Sequence, residues 1–362
     1  MKICFLTHDL RHDYGAGVFS HRLVRAMIDR GNEMTVLTSE FSGSPVEKAI
    51  LYPQKMKLMR EFLRIRRIMK DCDMIHALDG FPYGILAILF SRGLGKKVII
   101  TAVGSGAIIP LYMPFWQWVM RYSYRHADRV TAISHFTKQE ILKKVHGLST
   151  QVINHGVDLK NFERAHAGEG ELGVYQPYIL SVGTLRWRKG YHFSIRSFAK
   201  IAEEFPNINY VIVGKKYKED YYVRLQNVID ELHLRNRVFI LEDVNDREKL
   251  AQVYKSAELF CLFSQNVNHD VEGFGLVFLE AAAAGLPVVG AKNCGIDDAV
   301  KEGENGFLVA TRNPDDFANA ILEILRDPEL KKRMADNSLL YAKECIWEKR
   351  IGEYIDIYDI LM

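Results

Sequence analysis

Short apolar runs alternate with longer amphipathic stretches along the first half of the chain. The strand candidates lie at 2–7, 34–38, 74–78, 98–102, 129–134 and 151–158. Between them, 17–30, which Gly31 closes, and 55–70 have the apolar spacing of helices. Strands that alternate with helices predict βαβ units and a parallel, doubly wound sheet.

The alternation restarts after a small, polar, Gly-rich stretch at 165–173, which is typical of a linker. Its strand candidates lie at 178–183, 209–214, 237–241, 259–263 and 287–291. Its helix candidates lie at 190–204, 219–233, 247–256 and 276–284, and 315–362 is helical throughout. We therefore predict an α/β protein with domains at 1–165 and 172–340 and a C-terminal helical segment at 341–362.

Composition narrows the class of protein. The 362 residues exceed the length at which single cores stop growing, about 250–300 residues, which also favours two domains. A net charge of +3 gives no reason to expect a nucleic-acid partner. Five cysteines without a CxxC pair favour reduced thiols. With no apolar run near the ~20 residues of a membrane span, we expect a cytoplasmic protein, or one bound peripherally to the inner face of a membrane.

The strongest site signal is the segment DVEGFGLVFLEAAAAGLPVVG at 270–290. Gly273 and Gly275 flank Phe274 where a helix begins, so backbone N–H groups there are free to meet a ligand. Together with the helix dipole they form a site suited to a phosphate. Glu272 and Glu280 frame this site, and carboxylates beside a phosphate suit the hydroxyls of ribose or hexose. The alternative is an ordinary helix start with acidic capping and an exposed glutamate.

This segment resembles the E-x7-E signature of the retaining family 4 glycosyltransferases, which have the GT-B fold. The resemblance extends to CGIDDAV (294–300), GENGFLV (303–309), VGTLRWRKG (182–190) and VINHGVD (152–158). It implies two Rossmann-like domains with a cleft between them, a donor site in the C-terminal domain, and a terminal helix that returns to the N-terminal domain.

The resemblance also implies roles for single residues. Glu280 would bind the ribose hydroxyls and Glu272 the transferred sugar. Lys189 would bind the diphosphate, as fixed cations stabilise the charge on a leaving nucleotide; the alternative is a solvated surface lysine. Backbone amides would meet sugar hydroxyls and phosphate at Phe274, Gly275, Leu276 and Val277, next to Gly273.

Two positions depart from the family pattern. Thr184 stands where the family has arginine, and Arg186 or Arg188 could supply the missing charge. Val103 stands where the family often has histidine. These departures leave two functions open: an active enzyme, with Lys189, Glu272 and Arg188 as its catalytic residues, or an inactive GT-B protein that binds a nucleotide sugar as a partner or regulatory subunit.

The segment DYGAGVFSHRL at 13–23 follows the first strand. Gly15 and Gly17 could face the diphosphate there, and Asp13 and His21 are candidate acceptor-side groups. A dinucleotide-binding motif is disfavoured, because Ser20 replaces the third glycine of GxGxxG.

Two segments could contact a membrane. Residues 55–70 are basic with interleaved apolar residues, and 108–124 are rich in aromatic residues. The alternatives are a sheet-packing helix with a basic outer face and an aromatic segment packed on the core.

We thus expect transfer of a hexose from GDP-mannose or a UDP-hexose to a hydroxyl of a lipid-linked saccharide or cell-surface glycan. We also expect that the reaction needs no metal and no cofactor. The nucleotide base would meet 237–244, where Glu242 replaces the usual glycine of the family.

Overall fold

The computed structural model describes residues 1–11, 15–166, 171–242, 244, 246–310 and 313–362. These residues form two compact units. The first unit contains Met1–His155, Asn268–Gly273 and Arg350–Met362, and the second contains Gly156–Val267 and Phe274–Lys349. Part of the predicted linker, 167–170, lies outside the described residues.

The first unit contains a parallel sheet in the order β3-β2-β1-β4-β5-β6-β7. Its strands are β1 (Lys2–Thr7), β2 (Glu33–Thr38), β3 (Glu47–Ala49), β4 (Met74–Leu78), β5 (Lys97–Ala102), β6 (Arg129–Ala132) and β7 (Thr150–Val152). Its helices are α1 (Gly15–Asp29), α2 (Lys55–Asp71), α3 (Ile85–Ser91), α4 (Ser105–Ile108), α5 (Trp116–His126) and α6 (His135–Leu142). The central strands are buried almost from end to end, which explains why they read as continuous apolar runs.

The second unit contains a parallel sheet in the order β10-β9-β8-β11-β12-β13. Its strands are β8 (Tyr178–Val182), β9 (Asn209–Val213), β10 (Val238–Leu241), β11 (Leu259–Leu262), β12 (Val288–Ala291) and β13 (Gly306–Val309). Its helices are α7 (Leu159–Arg164), α8 (Tyr191–Glu204), α9 (Glu219–Glu231), α10 (Arg247–Lys255), α11 (Leu276–Ala283), α12 (Pro314–Arg326) and α13 (Pro328–Glu344).

The last helix, α14 (Trp347–Leu361), belongs to the first unit from Arg350 onward. It packs through Tyr354 and Tyr358, which are fully buried. The Tyr358 hydroxyl lies 2.6 Å from Nδ1 of His76 on β4, and the other ring nitrogen of His76 lies 2.8 Å from the Thr101 hydroxyl on β5. Buried hydrogen bonds therefore join α14 to the first sheet.

The prediction of two Rossmann-like parallel-sheet domains is confirmed, with corrections to single elements. The strand expected at 151–158 is limited to Thr150–Val152, because Gly156 packs its backbone against Trp347 and Val157 forms an isolated bridge with Ile346. The strands β3 and β13 were not predicted. Among the described residues, no helix is both long enough and apolar enough to cross a membrane.

Candidate functional site

The candidate site lies at the C-terminal edge of the second sheet. The order of its strands changes direction between β8 and β11. Ligands bind outside the carboxyl ends of parallel strands at such a switch point. Gly183 follows β8 and Phe263 follows β11, so we expect binding residues in the loops that begin at these two positions.

The loop after β8 directs the Lys189 side chain inward. Trp187–Lys189 form a 3₁₀ turn, which ends at Gly190 with a φ of 66°. Lys189 is only 7% exposed, and a Cβ on Gly183 would lie 3.5 Å from its Nζ. Lys189 is therefore not a solvated surface lysine, because its ammonium group lies beside the end of β8.

Contacts with the end of β11 fix this loop. The backbone N–H of Gln265 donates to the Arg188 carbonyl at 2.7 Å, and its side-chain amide donates to the Trp187 carbonyl at 3.2 Å. A Cβ on Gly190 would lie 2.0 Å from the Phe263 carbonyl oxygen, so only glycine fits there. The lysine is thus carried by a backbone with little freedom to move.

Glu280 on α11 lies within electrostatic range of the same lysine. The Tyr254 hydroxyl donates to Glu280 Oε2 at 3.0 Å. Withdrawal from solvent raises the pKa of Glu280, and the Tyr254 hydrogen bond and the charges of Arg247 and Lys189 act in the opposite direction. An ionised Glu280 can accept hydrogen bonds from paired hydroxyls.

The N-terminus of α11 begins at a glycine that the backbone requires. Gly275 is the N-cap, with a φ of 87°, and a Cβ there would lie 3.0 Å from Ile296. Phe274 is buried, whereas Leu276 and Val277 in the first turn are half-buried. The N–H groups of a first turn have no carbonyl from a preceding turn, so this end of α11 suits an anion.

Thr184, which replaces the family arginine, and the two arginines that could supply its charge lie in different surroundings. Thr184 is exposed and adds no charge, and Arg188 is half-buried. The guanidinium carbon of Arg186 lies 3.8 Å from the centre of the Tyr217 ring, which is a stacking contact. Both arginines lie on the loop that carries Lys189.

Glu272 and Gly273 belong to the first unit, whereas Phe274 and Glu280 belong to the second. Glu272 is 8% exposed, and the Gly273 carbonyl accepts a hydrogen bond from the Ser134 hydroxyl at 2.7 Å. The spacing of the two glutamates in the sequence did not predict this division.

In the loop after β1, residues 12–14 are not among the described residues, so Asp13 lies outside them. Gly15 is the first residue of α1, two positions before the predicted start, and Gly17 lies in the first turn. Gly15 is exposed, Gly17 is buried and His21 is half-buried.

Two residues that the sequence did not single out are Tyr254 and Asp79. Asp79 follows β4, has a φ of 81°, and accepts a hydrogen bond from the backbone N–H of Gly80 at 2.8 Å. Burial raises the pKa of Asp79 to about 7. Asp79 could have been predicted from the sequence as an acidic residue that directly follows a buried strand. No comparable sequence feature marks Tyr254.

His8, Asp9 and Glu40 lie together in the first unit with ligand atoms within 4.8 Å of one another. The guanidinium of Arg11 lies 2.8 Å from Asp9 and 3.2 Å from Glu40. Because the Arg11 guanidinium already pairs with both carboxylates, the group is an ion-pair cluster rather than a good metal site.

Two family models match the chain. "Glycosyltransferase Family 4" matches residues 14–161, and "Glycosyl transferases group 1" matches residues 165–340. Among curated proteins, the chain is similar to N-acetyl-alpha-D-glucosaminyl L-malate synthase of Bacillus anthracis, at 24% identity over 96% of this chain and 94% of that protein.

Solved structures resemble the whole chain. Sucrose-phosphate synthase from Thermosynechococcus elongatus superposes with a TM-score of 0.82 at 21% identity, covering 99% of this chain and 98% of that one. Anabaena HepE in complex with UDP-glucose superposes with a TM-score of 0.81 at 21% identity, covering both chains fully. These likenesses show the fold, as the GT-B resemblance predicted. The family assignment comes from the two family models, which together match residues 14–161 and 165–340 and identify the chain as a glycosyltransferase of the group 1 and family 4 type.

Proposed function

We propose that the protein transfers a hexose, with retained configuration and without a metal, from a UDP- or GDP-sugar to a hydroxyl group. The observation that carries the proposal is the buried Lys189 at the sheet's switch point, within electrostatic range of Glu280. A buried ammonium group suits a diphosphate, because negative charge develops there as the glycosidic bond breaks. The complex of Anabaena HepE with UDP-glucose adds support for a nucleotide-sugar donor.

Each site residue then has a chemical role. Glu280 accepts hydrogen bonds from the ribose hydroxyls, and Glu272 contacts the transferred sugar. The leaving phosphate oxygen takes the proton of the acceptor hydroxyl, so no carboxylate pair is needed. We assign the other contacts with the nucleotide-sugar donor to Gly15, Gly17, Thr184, Arg186, Arg188, and the backbone of Gly273, Phe274, Gly275, Leu276 and Val277.

The proposal is tested first by binding. UDP-, GDP- and ADP-sugars are screened by thermal shift, and a donor that raises the melting temperature is used in transfer assays. Glu280→Ala should weaken nucleotide binding by about tenfold or more, since a charge-assisted hydrogen bond is worth about 1.5–3 kcal/mol. A nucleotide affinity unchanged by Glu280→Ala would remove Glu280 from the site.

Lys189→Ala should slow transfer by about 10²–10³-fold, or about 2.7–4 kcal/mol, as for a lost oxyanion donor. The matched control is Lys200→Ala on α8, where the lysine side chain is 52% exposed and pairs with Asp315. Equal rates in the two variants would contradict the role of Lys189.

A second candidate is an inactive protein that binds a nucleotide sugar as a partner or regulatory subunit. The observation that favours it is the exposed Thr184 at the position of the family arginine, with Arg186 stacked on Tyr217. Calorimetry that detects binding, together with no nucleotide release over hours, would support this candidate over the first.

A lipid-linked saccharide is our proposed acceptor, and α2 is our proposed membrane contact. The helix packs on the core through Ile65 and Met69. Its other face exposes Met56 (75%), Met59 (60%) and Leu63 (74%) among basic residues. In the segment 108–124, Phe115 and Trp118 are likewise 69% and 67% exposed. A basic outer face alone explains the charges but not these exposed apolar side chains.

A further inference from the structure

The segment 268–273 lies in the chain between β11 and α11, yet it packs within the first unit. Ser105, the first residue of α4, provides one attachment point. Its hydroxyl donates to Asp270 Oδ1 at 2.6 Å and accepts from the backbone N–H of Val271 at 2.9 Å. One hydroxyl thus uses both its donor and its acceptor capacity on this segment.

A second attachment point lies two residues further along. The hydroxyls of Ser134 and Thr137 donate to the Gly273 carbonyl at 2.7 and 3.3 Å. The backbones of Gly104 and Gly273 also touch, since a Cβ on Gly104 would lie 3.0 Å from the Gly273 Cα. Glu272 therefore has a fixed neighbour on each side, Val271 and Gly273.

Hydrogen bonds and close packing with Asp79 fix the loop that carries Ser105. Asp79 Oδ1 accepts from the backbone N–H of Val103 at 3.4 Å as well as from that of Gly80. A Cβ on Gly106 would lie 1.9 Å from Asp79 Oδ2, so the carboxylate fills the space that glycine leaves open. The backbone of Asp79, with a φ of 81° and a ψ of 146°, is strained, and only its surroundings maintain it.

We propose that Ser105 is a positioning residue, which fixes the main chain on either side of Glu272 and so orients that carboxylate toward the transferred sugar. This inference rests on the proposed function, because it assumes that Glu272 contacts the sugar. Ser105 acts through the segment 268–273 and does not itself touch the substrate. Its hydrogen bonds to Asp270 and Val271 restrict the conformations of Glu272 before the reaction begins. Without them, Glu272 would lose this conformational freedom only on reaching the transition state.

The test uses UDP-glucose as the probe donor and release of UDP as the readout, with GDP-mannose and GDP in their place if only GDP-mannose stabilises the protein. Ser105→Ala should slow release by about 10–100-fold, because a misplacement of about 1 Å can cost 10²-fold. Affinity for free UDP should stay within about twofold of that of the wild type. Ser105→Thr keeps the hydroxyl and should restore most of the rate.

A double-mutant cycle separates positioning from a general structural role. If Ser105 acts through Glu272, Ser105→Ala should cause no further loss in a Glu272→Gln background. Additive losses would overturn the inference. Ser123→Ala is the matched control, because it removes a buried hydroxyl of the same unit whose hydrogen bond, 2.9 Å long, stays within α5.

Two further outcomes are distinguishable. If Glu272→Gln slows release and Ser105→Ala does not, the inference is wrong and the proposed function stands. If Glu272→Gln itself leaves the rate unchanged, the role of Glu272 is wrong and the inference fails with it. Should Ser105→Ala not fold, Asp270→Ala removes one of the same hydrogen bonds from the segment's side and is expected to slow release in the same non-additive way.

Discussion

A single glycine determines where the Lys189 side chain points. Gly190 ends the 3₁₀ turn in the left-handed region, and the Phe263 carbonyl lies directly against its Cα. Any side chain there both strains the backbone and displaces Phe263, the residue directly after β11. The geometry of the candidate diphosphate site therefore depends on a residue that contributes no functional group.

We expect Gly190→Ala to destabilise the protein by more than the cost of a left-handed conformation alone, which is about 1–2 kcal/mol. The control is Gly147→Ala, because Gly147 has a φ of 75° and no other atom lies within 4 Å of the place that its Cβ would take. Thermal unfolding and nucleotide binding are measured for both. If the two variants lose equal amounts of stability and of nucleotide affinity, the contact with Phe263 adds nothing to the cost of the left-handed conformation.

Tyr254 should set the pH range in which Glu280 binds a nucleotide. Burial raises the pKa of the Glu280 carboxyl group, and the hydrogen bond from Tyr254 lowers it. Tyr254→Phe should therefore raise the pKa of Glu280 further, so that affinity for UDP or GDP is lost at a higher pH as the solution is acidified. Calorimetry between about pH 5 and pH 8 measures the shift.

Tyr178→Phe is the control, since the Tyr178 hydroxyl donates to the Val253 carbonyl at 2.7 Å and not to Glu280. A pH profile that moves equally in both variants would contradict the role of Tyr254.

Among single residues, the sequence predicted those that lie in motifs and missed those that act from other elements. Lys189 and Glu280 could be found because both lie in local segments, VGTLRWRKG (182–190) and the E-x7-E segment, that resemble the family pattern. Tyr254 precedes Glu280 by 26 positions, and a buried tyrosine on an amphipathic helix looks like any core residue. Ser105 and Ser134 were missed because only folding brings them to the segment 268–273.

Among the secondary-structure elements, α14 stands out because it joins the first sheet through buried polar contacts. His76 is fully buried between Tyr358 and Thr101, and burial lowers its pKa to about 3. Unfolded histidine has a pKa of about 6.5, so the unfolded chain binds a proton that the folded chain does not. The contribution of His76 to stability is thus complete above about pH 6.5 and decreases as the pH falls toward about 3.

We expect His76 to account for about 2 kcal/mol of the stability lost between about pH 7 and pH 5. His76→Gln removes the titrating group, so the difference in unfolding free energy between the two pH values should shrink by about that amount. His146→Gln replaces an exposed histidine and is the control. If the unfolding free energy of His76→Gln differs between the two pH values as much as that of the wild type, His76 is not the group that causes the loss of stability.

The elements themselves were predicted where burial makes the pattern simple. Continuous apolar runs indicated the central strands of both sheets, because both faces of these strands are covered. The edge strand β3 has the sequence Glu-Lys-Ala and no apolar run, so its pairing with β2 could not be predicted. The strand β13 lies at an edge of the second sheet, where it pairs with β12, and the Gly-rich turn before it obscures its short apolar run.

For the molecule as a whole, the distribution of charge matters more than its sum. Helix α2 carries seven Lys or Arg and two acidic residues, a net charge of +5 against +3 for the entire chain. The rest of the chain is therefore slightly acidic, and the positive charge is concentrated beside the exposed Met56, Met59 and Leu63. Such a surface is attracted to anionic lipid and inserts apolar side chains at the headgroup level.

We expect the protein to cosediment with vesicles that contain phosphatidylglycerol and not with vesicles of phosphatidylcholine alone. Raising the salt concentration to about 1 M should weaken binding, because the Debye length falls to about 3 Å. Leu63→Ser should weaken binding severalfold through lost apolar contact, and Arg64→Glu should weaken it through charge, at about 1 kcal/mol per basic residue.

Leu340→Ser on α13 is the matched control, because Leu340 is 59% exposed on a helix of the second unit. If Leu340→Ser and Leu63→Ser reduce binding equally, or if neutral vesicles bind as well as anionic ones, α2 is not the membrane contact. Its exposed face would then be a basic outer face of a sheet-packing helix, and the acceptor need not be lipid-linked.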